Sequence, residues 1–169
     1  LDNIMEGKIR KGHFQGVATI VEYFLKTFSP TKAYFGEKDY QQLLIIKHLS
    51  NSLNLPTKIV GCPIVRATDG LAMSSRNLLL SPEERKIAPE VYMGLKLAKK
   101  LAKKEKYKKI QTEVGAFFQD LSIIKLEYFI ATDPFTLVEF KPNETIKSGR
   151  GFIAASLGEI RLIDNINMS

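Results

Sequence analysis

The chain has 169 residues, 44% of them hydrophobic, with one cysteine, two histidines and a formal net charge of +7. That is enough apolar material for one sizeable core, or for one domain and a smaller second one. No apolar run approaches the roughly 18 to 20 residues of a membrane span, and the N-terminus lacks the basic-then-apolar layout of a signal peptide, so the expectation is a soluble cytoplasmic protein that binds no membrane. Cys62 cannot form an intramolecular disulfide, and with only His13 and His48 beside it no zinc-type cluster can be assembled; no metal site is expected. The opening on Leu1, in LDNIMEGKIRKGHF, reads as the middle of something, a fragment or a processed product.

In HFQGVATIVEYFLKTFSP, Val17, Ile20, Val21, Phe24, Leu25 and Phe28 recur on one helical face, and Ser29-Pro30 ends the pattern. Lys32 to Phe35 reads as a short buried strand, residues 40 to 53 as an amphipathic helix, and Lys58 to Val65 as a second strand interrupted by Gly61 and Pro63. Helix, strand, helix, strand is the rhythm of parallel βαβ units. Two strands are too few for such a sheet, and the missing ones are expected before Leu1.

After Arg66 the texture changes to a polar connector, ATDGLAMSSRNLLLSPEER, which places a domain boundary near Asp69: residues 1 to 68 and 69 to 169. Ser81-Pro82-Glu83-Glu84 is a helix start with a serine N-cap, and Pro89 interrupts that helix early. A long lysine-rich helix and a shorter one around Val114 to Leu121 follow. Strand-like segments come next at Lys125 to Thr132 and Thr136 to Phe140, then GFIAAS and IRLIDNI joined at Leu157-Gly158-Glu159 as an antiparallel hairpin. The fold class is therefore α/β: a partial Rossmann-like parallel βαβ portion followed by a small α+β domain with antiparallel strands.

The charge is local. Residues 96 to 109, KLAKKLAKKEKYKK, hold eight lysines and one glutamate, and the remaining 17 basic and 17 acidic residues cancel. Leu97, Ala98, Leu101 and Ala102 at helical spacing make the lysines the solvated face of one amphipathic helix. A phosphate-backbone surface is the alternative, but only Tyr107 supplies an interleaved aromatic, and nucleic acid is not the expected partner.

Two loops carry possible chemistry. GEKDYQQL, residues 36 to 43, lies where a strand hands over to a helix, the place where open parallel sheets bind ligands. Gly36 permits a tight turn, the helix start offers amide N–H groups to an anion, Lys38 adds charge, Asp39 can accept from a sugar hydroxyl, and Gln42 can reach a second ligand. The bland reading is an ordinary turn with Asp39 as N-cap and Lys38 in solvent. GLAMSSRN, residues 70 to 77, adds the hydroxyls of Ser74 and Ser75 and the planar guanidinium of Arg76, either a phosphate-closing loop or a turn with a surface arginine. Two phosphate-type loops at a domain junction suggest a closing nucleotide site.

GHFQGVATIV, YFGEKDYQQLLII, VGCPIVRATDGLAMSSRNLLLSPEER and IRLIDNI, in this order and spacing, closely resemble the pantoate–β-alanine ligase (pantothenate synthetase) family over essentially the whole chain. That family belongs to the nucleotidylyl-transferase superfamily, and its serine-arginine loop is similar to the KMSKS loop of class I aminoacyl-tRNA synthetases. The resemblance implies a substrate set of ATP with Mg²⁺, pantoate and β-alanine, a pantoyl adenylate intermediate, and a homodimer in the full-length family. It implies that Gly36, Glu37, Lys38 and Asp39 line the ATP site, that Gln42 holds pantoate and that the Val65 backbone touches adenine. Met73, Ser74, Ser75 and Arg76 would close on the triphosphate, with Lys38, Ser74, Ser75 and Arg76 carrying catalysis. Arg10 matches a family arginine before GHF, although Lys11 stands where the family usually has proline. His13 is an active-site histidine or, more modestly, one that orients its loop; His48 is a surface or boundary residue. The family's methionine-glycine and two-histidine motif, and a further pantoate-holding glutamine, are not in this chain, so it is expected not to make pantothenate at a useful rate alone. Another ligase or nucleotidyl transferase of the superfamily, a lysine-rich nucleic-acid-binding module, and a catalytically silent folding and dimerisation unit are the rival readings.

Overall fold

A computed structural model describes residues 4 to 169, which divide into two compact units, residues 4 to 64 and residues 65 to 169. In the first unit, α1 (Met5–Ile9) and α2 (His13–Phe28) precede a parallel pair of strands, β1 (Lys32–Gly36) and β2 (Lys58–Cys62), linked by α3 (Tyr40–Ser52). Gly12 takes φ +75° at the start of α2, and Ser29, at φ 40°, closes it before Pro30. The Thr57 hydroxyl donates to the Pro30 carbonyl at 2.7 Å and the Lys58 N–H to Thr31, so the strand register is set where the strands begin.

The predicted face of α2 forms but is only partly covered. Leu25 is buried and Val17 and Val21 are half-buried, whereas Ile20, Phe24 and Phe28 are 55%, 50% and 71% exposed. The strand predicted as buried likewise alternates between exposed and half-buried, with Tyr34 largely in solvent. The cause is sheet width: two strands and α3 cannot cover both faces, which a parallel sheet requires. β2 stops at Cys62 rather than Val65 because Pro63 has no N–H to give a ladder.

The second unit is α+β. α4 (Pro82–Ile87) begins with the expected capping box, Ser81 Oγ accepting from the Glu84 N–H and Glu84 from the Ser81 N–H. Pro89 separates it from α5 (Glu90–Ala102). The single lysine helix is not observed: α5 ends at Ala102, a turn follows, and α6 (Tyr107–Gln119) starts anew, so the lysine run straddles two helices. The Leu101 carbonyl accepts from both Lys104 and Glu105, and the N–H groups of Tyr107 and Lys108 donate to Glu144 and Pro142, tying the break to a distant loop. Those partners, most of all the distant Glu144 and Pro142 carbonyls, outweigh the helical propensity of the lysines.

β3 (Ile124–Thr132), β4 (Arg150–Leu157) and β5 (Ile160–Asn167) form an antiparallel sheet in that order, with α5 and α6 on it. The β4–β5 hairpin turns at Gly158 (φ 53°) and Glu159 as predicted. Thr136 to Phe140 is not a strand but a loop, in which the Asp133 carboxylate accepts from the N–H groups of Phe135 and Thr136 and is thereby held below the usual carboxylate range. The core joins Leu95, Ala98, Ile110, Val114 and Phe118 of the helices to Ile153, Ala155 and Leu157 of the sheet.

Candidate functional site

In the first unit, Gly36 closes the parallel ladder opposite Cys62 with φ −68° and ψ 132°, extended backbone that any residue adopts. The tight turn expected of it is absent, and a Cβ there would meet nothing within 4 Å. What the glycine leaves is open space at the strand end. Glu37 to Asp39 make one 3₁₀ turn into α3. Glu37 packs its side chain toward Gly61 of β2, whose lack of a side chain also admits Leu43.

Lys38 Nζ lies 3.5 Å from Asp39 Oδ1, an exposed pair that contributes little to stability. Asp39 occupies the N-cap position of α3, yet its carboxylate makes no capping bond. The ordinary-turn reading needed that bond; without it, the Asp39 side chain does not itself occupy the positive dipole end of α3. Gln42 is half-buried on the first turn of α3, and its amide has no protein partner among the described residues. Its neighbour Gln41, which the sequence did not single out, is buried and structural: Oε1 accepts from the Glu6 N–H and Nε2 donates to the Ile4 carbonyl at 2.9 Å, fastening α1.

Arg10 and His13 meet directly, with Arg10 Nη1 3.0 Å from His13 Nε2. A guanidinium can only donate, so Nε2 is the acceptor in this contact. The pair spans Lys11 and Gly12, bridging the turn between α1 and α2. His48 is exposed, as expected for a surface residue.

In the second unit, residues 65 to 73 fold back as a small hairpin: the Met73 N–H donates to the Val65 carbonyl, Ala67 to Leu71 and Gly70 to Ala67, all at 2.9 Å. Val65 and Met73, both implicated by motif, are therefore adjacent and both exposed. Ser74 caps the following 3₁₀ turn, Ser75–Leu79, with Oγ accepting from the Arg76 N–H at 3.3 Å, which leaves its O–H able to donate elsewhere. The Ser75 and Arg76 side chains are exposed, and the Arg76 guanidinium has no ion-pair or hydrogen-bond partner among the described residues.

In the second unit three further supporting residues were missed. Asn77 Nδ2 donates to the Ala72 carbonyl at 3.0 Å, while its Oδ1 is buried without a partner among the described residues. Asp69 Oδ1 accepts from the Leu71 N–H, and Oδ2 accepts from Arg85 at 2.6 Å. That arginine holds the Asp69 carboxyl below its ordinary range, so the link persists as pH falls to the usual carboxylate value and is lost only below it. Arg66 is bound on four sides at the root of the hairpin. Only contact geometry could reveal these, since an isolated Asp, Asn or Arg in a polar stretch is indistinguishable from a solvated one.

The pantoate-beta-alanine ligase family matches residues 1 to 167. Pantothenate synthetase from Christiangramia forsetii is 45% identical over 169 residues, all of this chain and 60% of the relative. That from Aquifex aeolicus is 45% identical, covering 98% of this chain and 58% of the relative. Among solved structures, pantothenate synthetase from Thermus thermophilus has a TM-score of 0.92 at 38% identity, over 99% of this chain and 60% of that one. A pantoate-beta-alanine ligase from Francisella tularensis, described as complexed with beta-gamma ATP and beta-alanine, has a TM-score of 0.69 at 32% identity and covers 99% and 55%. This chain thus spans about 60% of the length of its curated relatives, and it belongs to the pantoate–β-alanine ligase family.

Proposed function

We propose that the chain supplies part of the site of an ATP-dependent ligase that condenses pantoate with β-alanine through pantoyl adenylate. The observation that carries this reading is the start of α3 behind Gly36 to Asp39, a helix N-terminus with no side-chain cap and with a lysine beside it at the end of a parallel strand. Triphosphate fits that chemistry, with Lys38 offsetting charge and Asp39 accepting from the ribose. Ser74, Ser75 and Arg76 present two hydroxyls and a fork of N–H donors to the phosphates, and the Val65 backbone meets the base. Mg²⁺ enters as part of the nucleotide substrate. Gln42 holds pantoate, whose carboxylate attacks the α-phosphorus as pyrophosphate leaves. The amine of β-alanine then displaces AMP from the acyl carbon. The carboxylate is already a nucleophile and the adenylate already activated, so positioning and charge stabilisation carry the rate. In the full-length protein we place this reaction in the cytoplasm and in a homodimer, as in the family the sequence resembles.

ATP titration by calorimetry, with and without Mg²⁺, tests the site. Lys38→Ala and Arg76→Ala are each expected to weaken binding about 10- to 100-fold, the scale of one charge-assisted hydrogen bond. Binding unchanged in both variants would sink the reading. Pantoate-dependent pyrophosphate release from a polypeptide of the relatives' full length separates this ligase from other adenylate-forming enzymes. Turnover of all three substrates by residues 1 to 169 alone would refute the expectation that this chain is insufficient.

A further inference from the structure

The chain carries two arginines ten residues apart in the serine-arginine segment, and the structure treats them oppositely. Arg76 is exposed and unpartnered among the described residues. Arg66 is committed: Nη1 donates to the Gly70 carbonyl at 3.0 Å and to Asp164 Oδ2 at 2.6 Å, while Nη2 donates to Asp164 Oδ1 at 3.0 Å and to the Asn165 carbonyl at 3.3 Å. Four of the five N–H donors of a guanidinium are thus taken, two of them in a bidentate pair with a carboxylate only 3% exposed. The flat of the group lies 3.7 Å from the centre of the Tyr92 ring. Gly70 approaches the same ring, at φ +93°; a Cβ there would come within 2.7 Å of Tyr92 Cδ1. One arginine therefore joins β5, α5 and the tip of the hairpin whose far end is Met73.

We infer that Arg66 is a positioning residue: by clamping residues 65 to 73 onto Asp164 and Tyr92 it fixes the hairpin that presents Val65 at one end and Ser74, Ser75 and Arg76 beyond the other. It touches no nucleotide itself, because four of its five donors are spent on protein. This rests on the nucleotide-site reading above. A lysine cannot replace it, since one ammonium has no planar fork to span Asp164, Gly70 and Asn165 together.

Backbone hydrogen exchange on the purified chain without ligand, together with ATP titration, tests this in the wild type, Arg66→Lys and Arg76→Ala. Arg66→Lys is expected to speed exchange of the Ala67, Gly70 and Met73 amides about tenfold and to weaken ATP about tenfold, the scale of one lost charge-assisted bond. Amides of α5 and β4 keep their wild-type rates. Arg76→Ala weakens ATP with no change in exchange, and Tyr92→Phe, which keeps the ring face, behaves as wild type in both. Unchanged hairpin exchange in Arg66→Lys overturns the inference, and so does a variant that loses protection throughout the second unit, which would make Arg66 a folding residue. If ATP binds, Arg76→Ala weakens it and Arg66→Lys does not, positioning fails while the site reading stands. No ATP binding by the wild type removes both, whatever the hairpin does.

Discussion

Tyr107→Ala is expected to destabilise the second unit by about 4 to 5 kcal/mol, near the upper end for a fully buried aromatic. Tyr107 is 1% exposed at the start of α6, with its ring 6.4 Å from those of both Phe129 and Phe140. Its hydroxyl donates to Glu139 Oε1 at 2.6 Å and accepts from Gln111 Nε2 at 2.9 Å and from the buried Ala131 N–H at 3.2 Å. One side chain thus connects a helix, a strand and the 133 to 149 loop. Tyr107→Phe keeps the ring but leaves the Glu139 oxygen and the Ala131 N–H short of a partner, costing about 1 to 3 kcal/mol. Urea unfolding of the three proteins measures both; a Phe variant as stable as wild type would show that the ring alone matters. Burial, and then the hydrogen bond to Glu139, push the phenol well above its ordinary range. The folded state therefore binds this proton more tightly, so its contribution is intact below about pH 10 and lost as pH rises through and above that value.

Gly94→Ala is expected to lower stability by about 1 to 2 kcal/mol, although a helical glycine ordinarily costs about 1 kcal/mol against alanine. A Cβ on Gly94 would lie 2.5 Å from Phe118 Cε2, 2.8 Å from Cζ and 3.2 Å from Ile153 Cδ1. Phe118 cannot swing aside, being 3% exposed and edge-on to Phe117. Gly115 on α6 gives the contrasting case, for a Cβ there meets nothing within 4 Å, and Gly115→Ala should stabilise by about 0.5 to 1 kcal/mol. Adding Phe118→Leu to Gly94→Ala should recover part of the loss, a non-additivity expected of touching residues. Parallel stabilisation by both glycine replacements would refute the packing argument.

The sequence was legible where one local rule decided the outcome. Ser81-Pro82 to Glu84 had to start a helix, Pro89 had to break it, and Leu157-Gly158-Glu159 between two apolar runs had to be a hairpin. It misled where partners distant in sequence decided instead. The lysines after Ala102 are good helix formers, yet Glu144 and Pro142 claim the N–H groups that restart the chain as α6. Thr136 to Phe140 has the composition of a strand but is bent by Asp133. At the candidate site, motifs pointed to Lys38, Gln42 and Ser74 to Arg76, of which Ser75 and Arg76 are exposed and Lys38, Gln42 and Ser74 half-buried. They passed over Gln41, Arg66 and Asn77, whose work is done inside the fold. A residue spent on the fold looks, in one dimension, like a residue left for solvent.

The half-covered face of α2 bears on how the isolated chain behaves in solution. Ile20, Phe24 and Phe28 form a greasy stripe on a molecule whose +7 charge is concentrated between residues 96 and 109. At low ionic strength like-charge repulsion between copies opposes their encounter. Near 0.15 M salt the screening length shrinks to about 8 Å, shorter than the range over which that repulsion acts, while apolar attraction is undiminished. Colloidal stability of this chain is therefore a property of the buffer as much as of the fold: dilute electrolyte keeps copies apart, and concentrated electrolyte lets the stripe seek cover.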